Sequence, residues 1–183
     1  LGLDKVKAPI FLLSATPAEI PSIIGSKTLT PSNIPKRFET RVYEVEDGMN
    51  VVDMFMLARN NFPQEAKRTL IIVPTHKQAT KTLNSLEYLK VGKVSLLTAR
   101  HREVAKEGII VATPYVQTGL DIKPGADLLI DSGKDVVIDK GKLVFPLPWT
   151  NRDVNEQRMG RVSRLKPGIV YRPKSSGSGQ KGV

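Results

Sequence analysis

The 183-residue chain contains no cysteine, which excludes disulfides and thiolate metal sites and leaves it compatible with a reducing compartment. Its two histidines, His76 and His101, are too few and too isolated for a zinc centre, so no metal site is expected. No apolar run approaches the roughly 20 residues of a membrane span, so no transmembrane segment is expected, and the N-terminus lacks the ordered regions of a signal peptide. A phosphate loop is missing as well: nothing matches G-x-x-x-x-G-K-[ST], and no Asp-Glu pair of the Walker B type occurs. Gly25-Ser26-Lys27-Thr28 imitates such a loop, but Ser26 stands where glycine is required directly before the lysine. Gly177-Ser178-Gly179-Gln180-Lys181-Gly182 has the form of a dinucleotide fingerprint, yet no strand pattern precedes it and no helix pattern follows, so it is set aside.

What is present describes one globular domain, with 40% apolar and 25% charged residues. The formal charge of +10 predicts attraction to polyanions, nucleic acid before an acidic membrane surface. Because it begins at Leu1, the chain reads as a fragment of something longer.

Apolar runs punctuate the chain. Pro9-Ile10-Phe11-Leu12-Leu13-Ser14 reads as a buried strand, and residues 17–36, rich in Pro, Ser and Thr, read as an extended connector. Residues 40–46 alternate as a strand with Tyr43 and Val45 on one face; Val51, Met54, Phe55 and Ala58 then recur at helical spacing, with Pro63 beyond the helix end. Three apolar runs follow, at 70–73, 94–97 and 109–112, with a helix after the first carrying Ala79, Leu83 and Leu86 on one side. Strand, helix, strand with near-continuous apolar strands predicts an α/β fold, a mostly parallel sheet covered on both faces. Residues 126–131 add a buried strand, 134–145 alternate like a β-hairpin, and Gly168-Ile169-Val170-Tyr171 suits a last strand. Trp149 sits in a Pro-rich turn as a packing anchor, and from residue 174 onward Ser, Gly and Lys spell a flexible linker.

Each of the three central runs is followed within two residues by a threonine: Thr75, Thr98 and Thr113. Ligands of open α/β sheets bind beyond the carboxyl ends of the strands. Together with Lys77, Arg100, His101 and Arg102, these hydroxyls could serve a sugar-phosphate backbone, or they could simply cap turns; the residues alone leave both open. Thr113-Pro114 also makes a helix start, with threonine as N-cap and proline in the first turn.

Near the C-terminus stands Asn155-Glu156-Gln157-Arg158-Met159-Gly160-Arg161-Val162-Ser163-Arg164. Read as one helix, Gln157, Arg161 and Arg164 fall in a stripe roughly 60° wide, while Met159 and Val162 face the other way, toward a core. Arg158 lies off the stripe by roughly 100°, which suits a structural or RNA-binding part. Guanidinium groups in a row suit phosphate oxygens, since their forks match that geometry and stay charged; a solvated basic face is the bland alternative.

Gln157-Arg158-Met159-Gly160-Arg161-Val162-Ser163-Arg164 resembles motif VI of superfamily 2 helicases, Q-R-x-G-R-x-G-R, with Ser163 in place of a glycine. The resemblance is to the RNA helicases of positive-strand RNA viruses, the potyvirus cylindrical-inclusion and flavivirus-type non-structural proteins. Ser14-Ala15-Thr16 resembles their motif III, and Val111-Ala112-Thr113 through Gly119-Leu120-Asp121 their motif V. The resemblance implies this division of the chain: the last strand of a first RecA-like domain at 1–16, a connector at 17–36, a second RecA-like domain at 37–173, and a flexible tail at 174–183. It implies an NTP-dependent RNA helicase in which ATP and Mg are held mainly by a first domain upstream in the same polypeptide. Arg161 and Arg164 would be the arginine fingers, Gln157 would position the attacking water or bind the γ phosphate, and Gly119 and Asp121 would lie near the nucleotide. Thr113 would touch RNA, and Thr75, Lys77, Thr98 and Arg100 would line the rest of the RNA track. The hairpin between motifs V and VI would help separate strands. Expected partners are single-stranded or duplex RNA, ATP, the first helicase domain and other viral replication proteins, in the host-cell cytoplasm at replication complexes. The chain by itself would bind RNA weakly and hydrolyse nothing. Against this stands a non-catalytic RNA-binding module of the same shape, using its charge only to hold polyanion; a third possibility is a domain that contacts replication proteins, with the arginines as structural ion pairs.

Overall fold

The apolar runs become the middle of a sheet. A computed structural model describes residues 38–117, 122, 125–139, 142–147, 149–162 and 166–179, all within the unit Pro35–Val183. The strand expected at 1–16, the connector at 17–36, and Gly119, Asp121, Ser163 and Arg164 lie outside the described residues.

In chain order the elements are β1 (Thr40–Val45), α1 (Val51–Asn61), β2 (Arg68–Ile72), α2 (His76–Tyr88), β3 (Val94–Leu97), β4 (Gly108–Ala112), β5 (Leu128–Asp131), β6 (Asp135–Asp139), β7 (Lys142–Leu147), α3 (Arg152–Met159) and β8 (Gly168–Pro173). Short 3-10 turns occupy Glu65–Lys67 and Pro114–Gln117. Six strands form a parallel sheet in the order β1-β8-β5-β2-β4-β3, as the α/β pattern predicts. β6 and β7 form the expected antiparallel hairpin, with an irregularity between Asp135 and Val137.

Successive side chains of a strand point to opposite faces, and that period sorts the core into two layers. Ile71, Val111, Ile130 and Tyr171 meet Met54, Phe55, Ala58, Ala79 and Leu86 of α1 and α2 on the first face. Leu70, Ile72, Ile110, Leu129 and Val170 meet Val116, Ile122, Val162 and the half-buried Met159 on the second. β2 is buried along its whole length, as a strand covered on both faces must be. Each fully buried Leu or Ile contributes about 1.5–3 kcal/mol relative to exposure. On α2 the buried stripe is Ala79, Thr82 and Leu86; Leu83, expected there, is only half-buried.

Among the described residues each of α1, α2 and α3 starts on a side-chain cap. Asn50 accepts from the Val52 and Asp53 amides, Thr75 from Gln78, and Asn151 from Val154, so orphan first-turn donors are satisfied.

Residues 174–179, the start of the stretch whose composition predicts a flexible tail, make hydrogen bonds to the domain. Ser175 donates its amide and hydroxyl to the Asp47 carboxylate at 2.9 and 2.6 Å, and Ser176 is buried. The amides of Gly177 and Gly179 both donate to the Thr150 carbonyl, at 2.9 and 3.1 Å. A Cβ on Gly179 would lie 2.0 Å from the Trp149 carbonyl oxygen, so the glycine serves close packing here.

Candidate functional site

The strand ends give the first half of the site. After β2, Thr75 caps α2, accepting from the Gln78 amide and donating its hydroxyl to Gln78 Oε1, both at 3.2 Å. After β3, the Thr98 hydroxyl accepts from the amides of Arg100 (3.2 Å) and His101 (3.3 Å). Thr98 is 2% exposed, and its hydroxyl shapes the turn that presents Arg100. Arg100 and Lys77 are exposed. The His76 and His101 rings stack at 5.7 Å with 6° between their planes, which joins the start of α2 to the 98–101 turn. Thr113, half-buried, follows β4; its amide donates to the Leu97 carbonyl, and its carbonyl accepts from Val116 as the Pro114–Gln117 turn begins. It stands between the strand-end row and the second face of the sheet.

The arginine segment forms the second half, and its geometry differs from the single helix expected. α3 ends at Met159 with Gly160 as its C-cap, so Arg161 lies beyond the helix that carries Gln157. Glycine costs about 1 kcal/mol within a helix, and the chain instead tightens: the Arg161 amide bonds the Arg158 carbonyl at 3.0 Å and Val162 bonds Met159 at 3.1 Å. Val162 then bridges to Ala126 and is buried in the second face, as Met159 is in part, so both take the core side expected of them. Gln157 lies on α3 and Arg161 in the turn just beyond, both half-buried.

What fixes this segment is Arg158. It is 0% exposed and pairs with Asp131 (2.7 Å), whose carboxylate also accepts from the Gly133 amide at 2.9 Å. Its other nitrogen donates to the Lys134 carbonyl at 3.0 Å and lies 3.5 Å from Asp135. Arg158 thus ties α3 to the carboxyl end of β5 and to the first residue of the hairpin, the structural part that its place off the stripe suits. At the start of α3, Asn155 Oδ1 accepts from the hydroxyls of Thr150 (2.6 Å) and Ser176 (3.1 Å), a buried polar cluster closed by the chain beyond β8. Neither Asp131 nor this cluster was singled out in the sequence. A carboxylate ending an otherwise apolar strand is a usable signal for Asp131; a serine in a Ser-Gly run offers none for Ser176.

Between Asp131 and Ala126 the segment runs down the second face, where α3 packs against the Pro114–Gln117 turn. Residues resembling motifs V and VI, far apart in sequence, are thereby brought together through Val116, Ile122, Met159 and Val162. Behind β4, Arg68 donates to the Ala105 carbonyl at 2.7 Å; burial pushes its pKa down while Asp127 opposes that shift. Among the described residues no group of three or more metal-ligating side chains occurs, and no helix is long and apolar enough to cross a membrane.

No protein-family model matches the chain. It is 42% identical over 177 residues to the ORFB polyprotein of Cryphonectria hypovirus 1 strain EP713, a match covering 94% of the chain. To the ORFB polyprotein of strain Euro7 it is 41% identical over 181 residues, covering 97%. The chain spans only 6% of the length of each polyprotein. Among solved structures, the Escherichia coli DEAH/RHA helicase HrpB matches with a TM-score of 0.59 at 20% identity, over 80% of this chain and 22% of that one. A crystal structure of the E. coli DExH-box NTPase HrpB matches at 0.56 and 20% identity, over 75% and 19%. The domain therefore has the α/β, RecA-like fold of these helicases, and its sequence is similar to one stretch of a hypovirus polyprotein.

Proposed function

We propose that the chain is the second RecA-like domain of an NTP-driven RNA helicase, completing a nucleotide site whose phosphate loop and magnesium carboxylate belong to a first domain upstream. The observation that carries this is the packing of the 114–117 turn on α3, with Arg158 buried on Asp131 holding the segment in place. Arg161 and Arg164 reach toward the β and γ phosphates of ATP and stabilise charge as the phosphoryl group passes to water. Gln157 orients that water or binds the γ phosphate, and Gly119 and Asp121 lie beside the nucleotide. Magnesium, which the first domain would hold, would supply positive charge to offset the charge that develops on the phosphates. Thr113, joining the nucleotide face to the strand ends, couples hydrolysis to the RNA track along Thr75, Lys77 and Arg100. Thr98 acts in that track only by shaping the turn under Arg100.

The rival is a basic RNA-binding module of the same fold that hydrolyses nothing. Comparing NTP turnover of the 183-residue chain with that of the chain extended upstream by about one domain separates the two. RNA-stimulated hydrolysis by the extended protein and none by the chain alone is expected; an extended protein that binds RNA without turnover would establish the module instead.

A further inference from the structure

Beyond the strand ends, the outward side of α2 carries a row that neither the sheet nor the nucleotide site uses. Lys77, Lys81, Asn84 and Tyr88 recur at i, i+4, i+7 and i+11, a stripe roughly 60° wide. All four are exposed, and the stripe lies opposite the buried Ala79, Thr82 and Leu86. Tyr88 is 86% exposed, the most exposed large hydrophobic side chain among the described residues, and Leu89 beside it is 46% exposed. Among the described residues neither lysine is in an ion pair. Glu87, the lone acid of the helix, points roughly 100° away from Tyr88.

We infer that this stripe is a single-stranded RNA subsite, in which Lys77 and Lys81 hold phosphates and Tyr88 stacks on a base. Charge favours a polyanion, since the row offers two ammonium groups and no carboxylate in a chain of +10. An exposed ring at the end of a basic row is the combination that holds unpaired strands without reading sequence, because every base presents a stackable face. Lys77 belongs both to this stripe and to the strand-end row with Thr75 and Arg100, so a strand leaving the sheet edge continues along α2 for about 17 Å, the rise of 11 residues. The inference rests on the proposed RNA track at that edge and lengthens it.

The test is fluorescence anisotropy of the 183-residue chain with labelled unpaired RNA oligonucleotides, one short and one long enough to pass both the edge and α2. Tyr88→Ala is expected to weaken the long oligonucleotide about tenfold and the short one little, with Tyr88→Phe keeping wild-type affinity. Lys81→Ala is expected to flatten the dependence of log affinity on log salt by about one phosphate. These side chains are exposed, so thermal unfolding should be unaltered in all three variants. If Tyr88→Ala and Lys81→Ala bind like wild type while Thr113→Ala weakens binding, the subsite is overturned and the strand-end track stands. If neither the α2 variants nor Thr113→Ala alters RNA affinity, both fall, and the exposed ring is then left for a protein partner.

Discussion

Arg158 is the most constrained charge among the described residues, and the polar partners around it explain why. Asp131 is 2% exposed, so removing the guanidinium would leave a buried carboxylate with only the Gly133 amide to offset it. Breaking a buried pair from one side costs about 3–5 kcal/mol. Arg158→Ala should therefore lower stability by about that much in urea unfolding, whereas Arg152→Ala, which removes an exposed pair with Glu156, should change it by less than about 1 kcal/mol. Equal losses in the two variants would mean that the Asp131 pair does not hold α3. The sequence distinguished Arg158 from Arg161 by angle alone; it could not name Asp131, because the partner lies 27 residues away. A second residue-scale prediction concerns Asp47. The Ser175 hydroxyl, then the Ser175 amide, hold its carboxyl below the ordinary value of 3.8; burial opposes them, and Lys174 adds a lesser lowering. A carboxyl lowered on folding stabilises the folded state above the ordinary pKa, and this is lost as pH falls through the folded value. The Ser175 amide shift should thus follow a titration whose midpoint lies below 3.8. Movement near neutral pH would contradict the clasp.

At the scale of elements, periodicity was a sound guide where packing decides and a poor one where a turn does. Met54, Phe55 and Ala58 are buried at the spacing expected of α1, and the apolar runs at 70–73, 94–97 and 109–112 are parallel strands. Over residues 155–162 the segment keeps its core side while α3 itself stops at Met159, because Gly160 caps the helix and Val162 bridges to Ala126. Residues 174–179 look flexible by composition, yet pairing with Asp47 and Thr150 depends on partners that no local pattern reveals. Thr75 caps α2 with the same hydroxyl that the proposed RNA track uses. Replacing an N-cap threonine costs about 1 kcal/mol, so Thr75→Ala should lower the unfolding free energy by that amount. If the same hydroxyl also meets RNA, affinity should fall when measured where both forms are fully folded; unchanged affinity would leave Thr75 as a cap only.

Among the described residues the proposed function draws on two surfaces: the strand-end row, and the second face where α3 meets the 114–117 turn. The sheet and its two apolar layers were legible because β2, β4 and β5 read as unbroken apolar strands. The division between the surfaces was not, because the arginine segment's path down the sheet depends on a bridge to Ala126 and a buried pair with Asp131. Thr113 bonds Leu97 at the strand ends and Val116 of the 114–117 turn, so in the proposed motor it is the residue placed to couple the two. The central claim is that Arg161, with Arg164, completes a nucleotide site formed with an upstream domain. It is tested most directly by the RNA-stimulated NTP turnover of Arg161→Ala and Arg164→Ala in a protein that carries both domains. The account predicts a fall of about 10³-fold or more in each variant, with RNA binding and thermal unfolding near wild type; turnover at the wild-type rate in both would contradict it.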